Sequence, residues 1–103
     1  MPELLVQFDE LISNPLGAKY FAQAVGIQRE DGLWEGWLEF IGANENARSI
    51  SSDRETTQPN RAGLEYWAQG LSRVYLQGAL ARAESSTEAI PKDRPAREDS
   101  PYA

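Results

Sequence analysis

The sequence predicts an α+β fold, in which an antiparallel sheet of three to four strands carries two C-terminal helices packed on one face. Two segments rich in aromatic and β-branched residues surround an Asp-Gly pair, which is the pattern of a β-hairpin. Two apolar patterns with helical spacing follow later in the chain. A length of 103 residues suits one domain and not two.

The composition divides the chain into a domain and a tail. We assign residues 1–83 to a single α+β domain and residues 84–103 to a disordered, polar C-terminal tail. The tail carries three prolines among Ser, Asp, Glu, Lys and Arg. Such a composition buries too little apolar surface to offset the entropy that folding costs.

The first segment, residues 3–12, fits two patterns. A helical face would be formed by Leu4, Leu5, Phe8, Leu11 and Ile12. Alternation in part of the same segment also fits a strand, which we favour because a β-rich segment follows and could pair with it. A helix stays open as the alternative, and the order α-β-β-β-α would then match the double-stranded-RNA-binding domain in shape. The Lys cluster with which that domain holds phosphates is missing here.

The predicted hairpin joins residues 20–28 to residues 33–41 through Asp31-Gly32, which supplies the positive φ of a tight turn. Period-two alternation divides the second strand into two faces. The face predicted to meet the core carries Trp34, Gly36, Leu38 and Phe40. The opposite face carries Leu33, Glu35, Trp37, Glu39 and Ile41. The mid-strand glycine indicates a bulge, or close approach of a ring or another backbone.

The remaining elements are a polar strand and two helices. Residues 47–56 predict a third strand at an edge of the sheet, because Ile50 is its single strong apolar residue. A first helix begins within residues 57–60, where Thr57 or Asn60 can cap it, and Gly70 predicts a left-handed stop. Ser72 can then cap a second helix over residues 73–83.

Composition also excludes several functions. The chain contains no Cys and no His, which excludes disulfides, thiol nucleophiles, the usual zinc and copper sites, and Ser-His-Asp or Cys-His triads. The formal net charge of −6 disfavours nucleic acid and anionic membrane surfaces as partners. No apolar run approaches the ~20 residues of a membrane span, and no signal peptide is visible. We therefore predict no catalytic residue, no metal and no cofactor, and a cytoplasmic location.

Four residues of the second hairpin strand are interface candidates: Trp37, Ile41, Glu35 and Glu39. A half-exposed aromatic side chain beside charges is typical of protein contacts. The two glutamates are four strand residues apart, about 13 Å at ~3.3 Å per residue, whereas paired glycosidase carboxylates need ~5–9.5 Å. This spacing favours a contact surface over a catalytic pair.

A second set of candidates lies where the third strand meets the first helix. These ligand-binding candidates are Arg54, Thr56, Thr57, Asn60 and Arg61, with Trp34 nearby. A strand-to-helix junction directs free backbone N–H groups outward, which suits an anion. The same side chains could instead cap the helix and satisfy the turn, so both interpretations stay open.

Two motifs, WEGWLEF at residues 34–40 and RETTQPNR at residues 54–61, resemble those of a group of short, uncharacterised bacterial proteins. The resemblance covers residues 5–83 and implies no activity, ligand or catalytic residue. The sequence thus favours a non-enzymatic protein-interaction or accessory module that associates with itself as a homodimer. The alternative is a small-ligand or anion-binding protein that uses residues 54–61. An enzyme that relies on carboxylates, Arg or Tyr alone is the less favoured hypothesis.

Overall fold

A computed structural model describes residues 1–89, which form five strands followed by two helices. The strands are β1 (Glu3–Ser13), β2 (Lys19–Gln28), β3 (Trp34–Gly42), β4 (Ile50–Ser51) and β5 (Thr56–Gln58). The helices are α1 (Arg61–Gln69) and α2 (Arg73–Ala89). The strands form one antiparallel sheet in the order β1-β2-β3-β4, and β5 also pairs with β3. This architecture confirms the predicted α+β class.

The first segment is a strand, because β1 pairs with β2 along its length. The pairing excludes the α-β-β-β-α order. Its register shifts twice, between Leu4 and Val6 and again between Gln7 and Leu11. A bulge changes which face the following side chain meets, so Leu5 and Val6 both pack against the core. These two bulges explain why a strand carries apolar residues at helix-like spacing.

The hairpin of β2 and β3 confirms the prediction for this part of the chain. Its register is unbroken from Tyr20 opposite Gly42 to Gln28 opposite Trp34. Gly32 adopts φ 91°, as the tight turn requires. The predicted inward face of β3 is buried at Gly36, Leu38 and Phe40, whereas Trp34 is half-buried near the end of the strand.

The prediction of one third strand over residues 47–56 is wrong, because two short strands replace it. The interruption centres on Ser52, whose hydroxyl accepts a hydrogen bond from the Leu38 backbone N–H at 3.0 Å. The Ser52 backbone N–H also donates to the Leu38 carbonyl at 2.8 Å. A side chain thus takes part in the ladder, and the chain bends away before β5 resumes pairing with β3. The edge position that was predicted for this segment is confirmed.

Both helix starts follow the predicted caps. The Asn60 side chain accepts from the Gly63 backbone N–H at 2.8 Å, and the Ser72 hydroxyl accepts from the Tyr75 backbone N–H at 3.2 Å. The left-handed stop is wrong, because Gly70 has φ −91° and ψ 1°. Its N–H bonds to carbonyls of the last turn of α1, and Ser72 caps α2 two residues later.

The second helix is longer than predicted. It continues six residues past residue 83, to Ala89. Its added turns are anchored by Glu84, whose Oε2 accepts from Asn14 Nδ2 at 2.6 Å and from the Tyr20 hydroxyl at 3.5 Å. The polar composition hid this anchor, because both partners lie about 65–70 residues away in sequence. The rest of the predicted tail lies outside the described residues.

The core lies between one face of the sheet and the two helices. The sheet contributes Ile12, Tyr20, Ala22, Ala24, Leu38 and Phe40, and the helices contribute Leu64, Ala68, Leu76, Ala79, Leu80 and Ala83. Gly26 and Gly36 are cross-strand partners beneath α1. A Cβ atom at Gly36 would lie 2.8 Å from both the Trp67 ring and Leu64, so the predicted close approach of a ring at this glycine is confirmed.

Candidate interaction surface

The face of the sheet opposite the helices, here called the outer face, is built from three rows of side chains that cross β1, β2 and β3. The Trp37 row contains Leu4, Val25 and Trp37. The Glu39 row contains Gln7, Gln23 and Glu39. The Phe21 row contains Leu11, Phe21 and Ile41. Because alternate residues of a strand share a face, the outer face reads apolar, polar, apolar along the strands.

The two apolar rows expose large side chains to solvent. The exposed fractions are 53% for Leu4, 40% for Leu11, 45% for Phe21 and 41% for Ile41. Val25 is buried, although no helix covers this face, because it lies between Leu4 and Trp37 in the register. Leu11, Phe21 and Ile41 are neighbours across the three strands, and a row of adjacent exposed apolar side chains is typical of an interaction site.

The Glu39 row is held together by side-chain hydrogen bonds. Gln7 Nε2 donates to Gln23 Oε1 at 3.5 Å, and Gln23 Nε2 donates to Glu39 Oε1 at 2.9 Å. An amide has two N–H donors and one carbonyl acceptor, so each glutamine can also bond outward. The row therefore divides the apolar surface with a prearranged polar stripe that carries one negative charge.

All four interface candidates from the sequence lie on the outer face. Ile41 is exposed, whereas Trp37, Glu39 and Glu35 are half-buried. Glu35 lies towards the hairpin turn, where its carboxylate is 3.5 Å from Arg29 and 4.0 Å from Arg54. This glutamate therefore belongs to an ion cluster at the end of the face, and the other three belong to the rows.

Sequence reasoning missed Leu4, Leu11 and Phe21 as members of this surface. The signal for the last of them was present in the alternation of β2. On the inward face of β2, Tyr20 is followed by the small residues Ala22, Ala24 and Gly26, whereas the other face carries Phe21, Gln23, Val25 and Ile27. Small residues under a helix imply that the larger alternate residues point away from it. The two β1 leucines needed the bulges, which no local pattern reveals.

The ligand-binding candidates do not converge on one point. Most of them bond within the chain: Asn60 caps α1, Thr56 Oγ1 accepts from Gln58 at 2.7 Å, and Arg61 pairs with Glu3 at 2.7 Å and with Glu65. Arg54 approaches Glu35, Thr57 is exposed opposite Glu35, and Trp34 is half-buried opposite Gln58. These contacts are the capping and turn roles that the sequence left open, and anion binding by residues 54–61 stays a prediction.

A hollow of about 550 Å³ lies between the β4–β5 connection and α2. At its wall the partly buried Glu55 carboxylate accepts hydrogen bonds from the Tyr75 hydroxyl and, at 2.7 Å, from Arg82. The Arg82 guanidinium also lies 5.5 Å from the centre of the Tyr75 ring. Because all three groups bond to one another, we interpret the network as a tie between the sheet edge and α2.

Burial raises the pKa of two tyrosines above the ordinary value of 10.0, and a neighbouring carboxylate raises it further in each case. The carboxylate is Glu84 for Tyr20 and Glu55 for Tyr75, where Arg82 opposes the shift. The folded state therefore holds these phenolic protons more tightly than the unfolded state does. Their contribution to stability is complete below about pH 10 and is lost as the pH rises through the folded pKa.

Alkaline unfolding provides the test. We expect the free energy of unfolding from urea titrations to fall between about pH 9 and about pH 11. The variant Tyr20→Phe/Tyr75→Phe should be less stable at the lower pH but should lose less stability across the interval. An equal loss in both proteins would contradict this assignment of the pH dependence.

Comparisons with models of protein families, with curated proteins and with solved structures find no match to this chain. The resemblance to short bacterial proteins therefore stays a prediction. Within residues 1–89, no helix combines the length and apolar character that crossing a membrane requires. The same part of the chain holds no group of three or more acidic, His or Cys side chains arranged to bind a metal ion.

Proposed function

We propose that this chain is a non-enzymatic interaction module that associates with itself through the outer face, either alone or as an accessory subunit of a larger assembly. One observation carries the proposal: four large apolar side chains share the face of the sheet that no helix covers. They are Leu4, Leu11, Phe21 and Ile41. The cytoplasm is the compartment in which we expect this association.

The size of the face supports weak association. A strand of nine residues such as β3 is about 30 Å long, and the three strand positions of the outer face are about 14 Å wide. Two such faces would bury about 850 Å² in total, which is the size of a weak, transient interface. We therefore expect a dimer that forms only at high micromolar to millimolar concentrations, between about 100 µM and about 1 mM.

The edges of the sheet are poorer sites for self-association than its outer face. The two register shifts in β1 interrupt the regular row of backbone groups that another strand would need. At the opposite edge, β4 and β5 contain two and three residues. Short or bulged edges resist strand addition, so face-to-face contact is the favoured mode.

Light scattering over about 1 µM to about 1 mM tests the proposal. The mass of the native chain should rise from 11.5 kDa towards twice that value. Phe21→Lys places a charge in the middle of an apolar row. It should shift the midpoint of the monomer–dimer transition to at least tenfold higher concentration, which corresponds to about 1.4 kcal/mol of association free energy. Desolvating an unpaired ammonium group costs at least that much.

The matched control is Val74→Lys. Val74 is 78% exposed on α2, far from the outer face in the fold, and the substitution adds the same charge. This variant should associate like the native chain. A native chain that stays at 11.5 kDa throughout, or equal weakening by both substitutions, would overturn the proposal.

A further inference from the structure

The rows on the outer face point to one orientation of the dimer. Resting on the proposed self-association, we infer that the second copy packs with its β2 along the first copy's β2, related by a two-fold axis that runs parallel to β2 between the two sheets. A symmetric dimer uses the same patch on both copies, so the patch must complement itself. The row pattern permits two axes, and the polar stripe distinguishes them.

Both axes bring apolar side chains together. An axis along β2 places each row on the same row of the second copy, with the order of strands reversed. An axis along the Glu39 row instead places the Trp37 row on the Phe21 row of the second copy. Each strand then faces the same strand of the second copy. Since both outer rows are apolar, burial of apolar surface does not choose between these arrangements.

The Glu39 row distinguishes the two axes. With the axis along the row, Glu39 lies on Glu39 of the second copy, and two like charges lose water together. With the axis along β2, the strand order reverses and Glu39 lies on Gln7 of the second copy. On each side of the axis a Gln7 amide N–H can then donate to the Glu39 carboxylate of the other copy. Gln23 of one copy faces Gln23 of the other. Charge complementarity therefore selects the axis along β2.

The same axis assigns the apolar contacts. Phe21 lies on the axis and faces Phe21 of the second copy, because β2 is the central strand of the three. Leu11 and Ile41 occupy β1 and β3 at equal distance from the axis. Leu11 of each copy therefore faces Ile41 of the other copy. Each aliphatic side chain on one sheet is thus covered by an aliphatic side chain on the other.

A substitution at Gln7 tests the orientation by the sign of its effect. In the proposed dimer Gln7→Lys places an ammonium group against Glu39 of the second copy, so sedimentation equilibrium should give a dissociation constant about fivefold lower than that of Val74→Lys, which carries the same net charge. With the axis along the Glu39 row, Lys would lie on Lys and association would weaken. Weakening by Gln7→Lys would overturn this orientation and leave self-association standing.

Cross-linking gives a second readout that does not depend on charge. The chain contains no Cys, so a single introduced thiol is unique. Phe21→Cys should form covalent dimers with a short bismaleimide, because facing sheets are about 10 Å apart on the axis. Gln7→Cys should react less, since the proposed axis separates the two copies of β1. The reverse preference would overturn the orientation, whereas a native chain that is monomeric by light scattering would overturn the proposed function itself.

Discussion

Replacing Gly36 with valine should destabilise the fold by about 3 kcal/mol. Its cross-strand partner is Gly26, and together they form a shallow notch in the sheet on which Leu64 and Trp67 rest. A Cβ atom at Gly36 would lie 2.8 Å from each of these side chains and 3.2 Å from Thr56 Cγ2. Since a packed core has little spare volume, α1 must move away from the sheet to admit the larger side chain.

Urea unfolding of Gly36→Val and of Gly36→Val/Leu64→Ala measures this effect. Because both glycines lie under Leu64, removing that side chain should relieve part of the overlap. The double variant should therefore lose less stability than the sum of the losses of Gly36→Val and Leu64→Ala measured singly. Gly78→Ala is the control, since its nearest neighbour would be Arg82 at 3.6 Å, and it should stabilise the helix by up to about 1 kcal/mol. A Gly36→Val variant as stable as the native chain would contradict the close packing of Leu64 and Trp67 on Gly36.

Replacing Phe40 with alanine should cost about 4 kcal/mol. Phe40 is fully buried, and its ring packs edge-on against Tyr20 with 6.3 Å between centroids and an interplanar angle of 79°. The substitution removes this aromatic contact and leaves a cavity between the sheet and the helices. It also loosens the packing around Tyr20, whose hydroxyl reaches Glu84 on α2.

Phe21→Ala is the matched control, because it deletes the same side chain from the outer face of the adjacent strand. Phe21 is half-exposed, so its removal should cost about 1 kcal/mol or less when the chain is monomeric. The comparison uses urea unfolding at low concentration, because association would stabilise the folded state. Equal losses for Phe40→Ala and Phe21→Ala would mean that the two faces of the sheet are not distinct.

The sequence predicts local features well where a single residue determines the geometry. Asp31-Gly32 marked the hairpin turn, and Asn60 and Ser72 marked the helix starts, because each supplies a conformation or an acceptor that few residues can. Gly36 marked the approach of a ring for the same reason. These signals act over a few residues and need no knowledge of the tertiary fold.

Features that depend on distant partners were not predictable in this way. Ser52 breaks the third strand because its hydroxyl bonds to the Leu38 backbone, fourteen residues earlier. Glu84 extends α2 because Asn14 and Tyr20 are brought to it by the sheet. The outer face needs the exact pairing of β1 with β2, which two bulges shift. Alternation alone identified three of its exposed or half-buried row residues, all on β3, and it also held the signal for Phe21 on β2.

Cross-saturation by NMR tests most directly whether the outer face is the surface of self-association. A deuterated, ¹⁵N-labelled chain is mixed with unlabelled chain, the aliphatic protons of the unlabelled copy are saturated, and the loss of amide signal is recorded. We predict losses at Leu11, Phe21, Gln23 and Ile41 and none in α1 or α2. Losses concentrated on the helices, or no losses at concentrations of about 1 mM, would show that the outer face is not the surface of self-association.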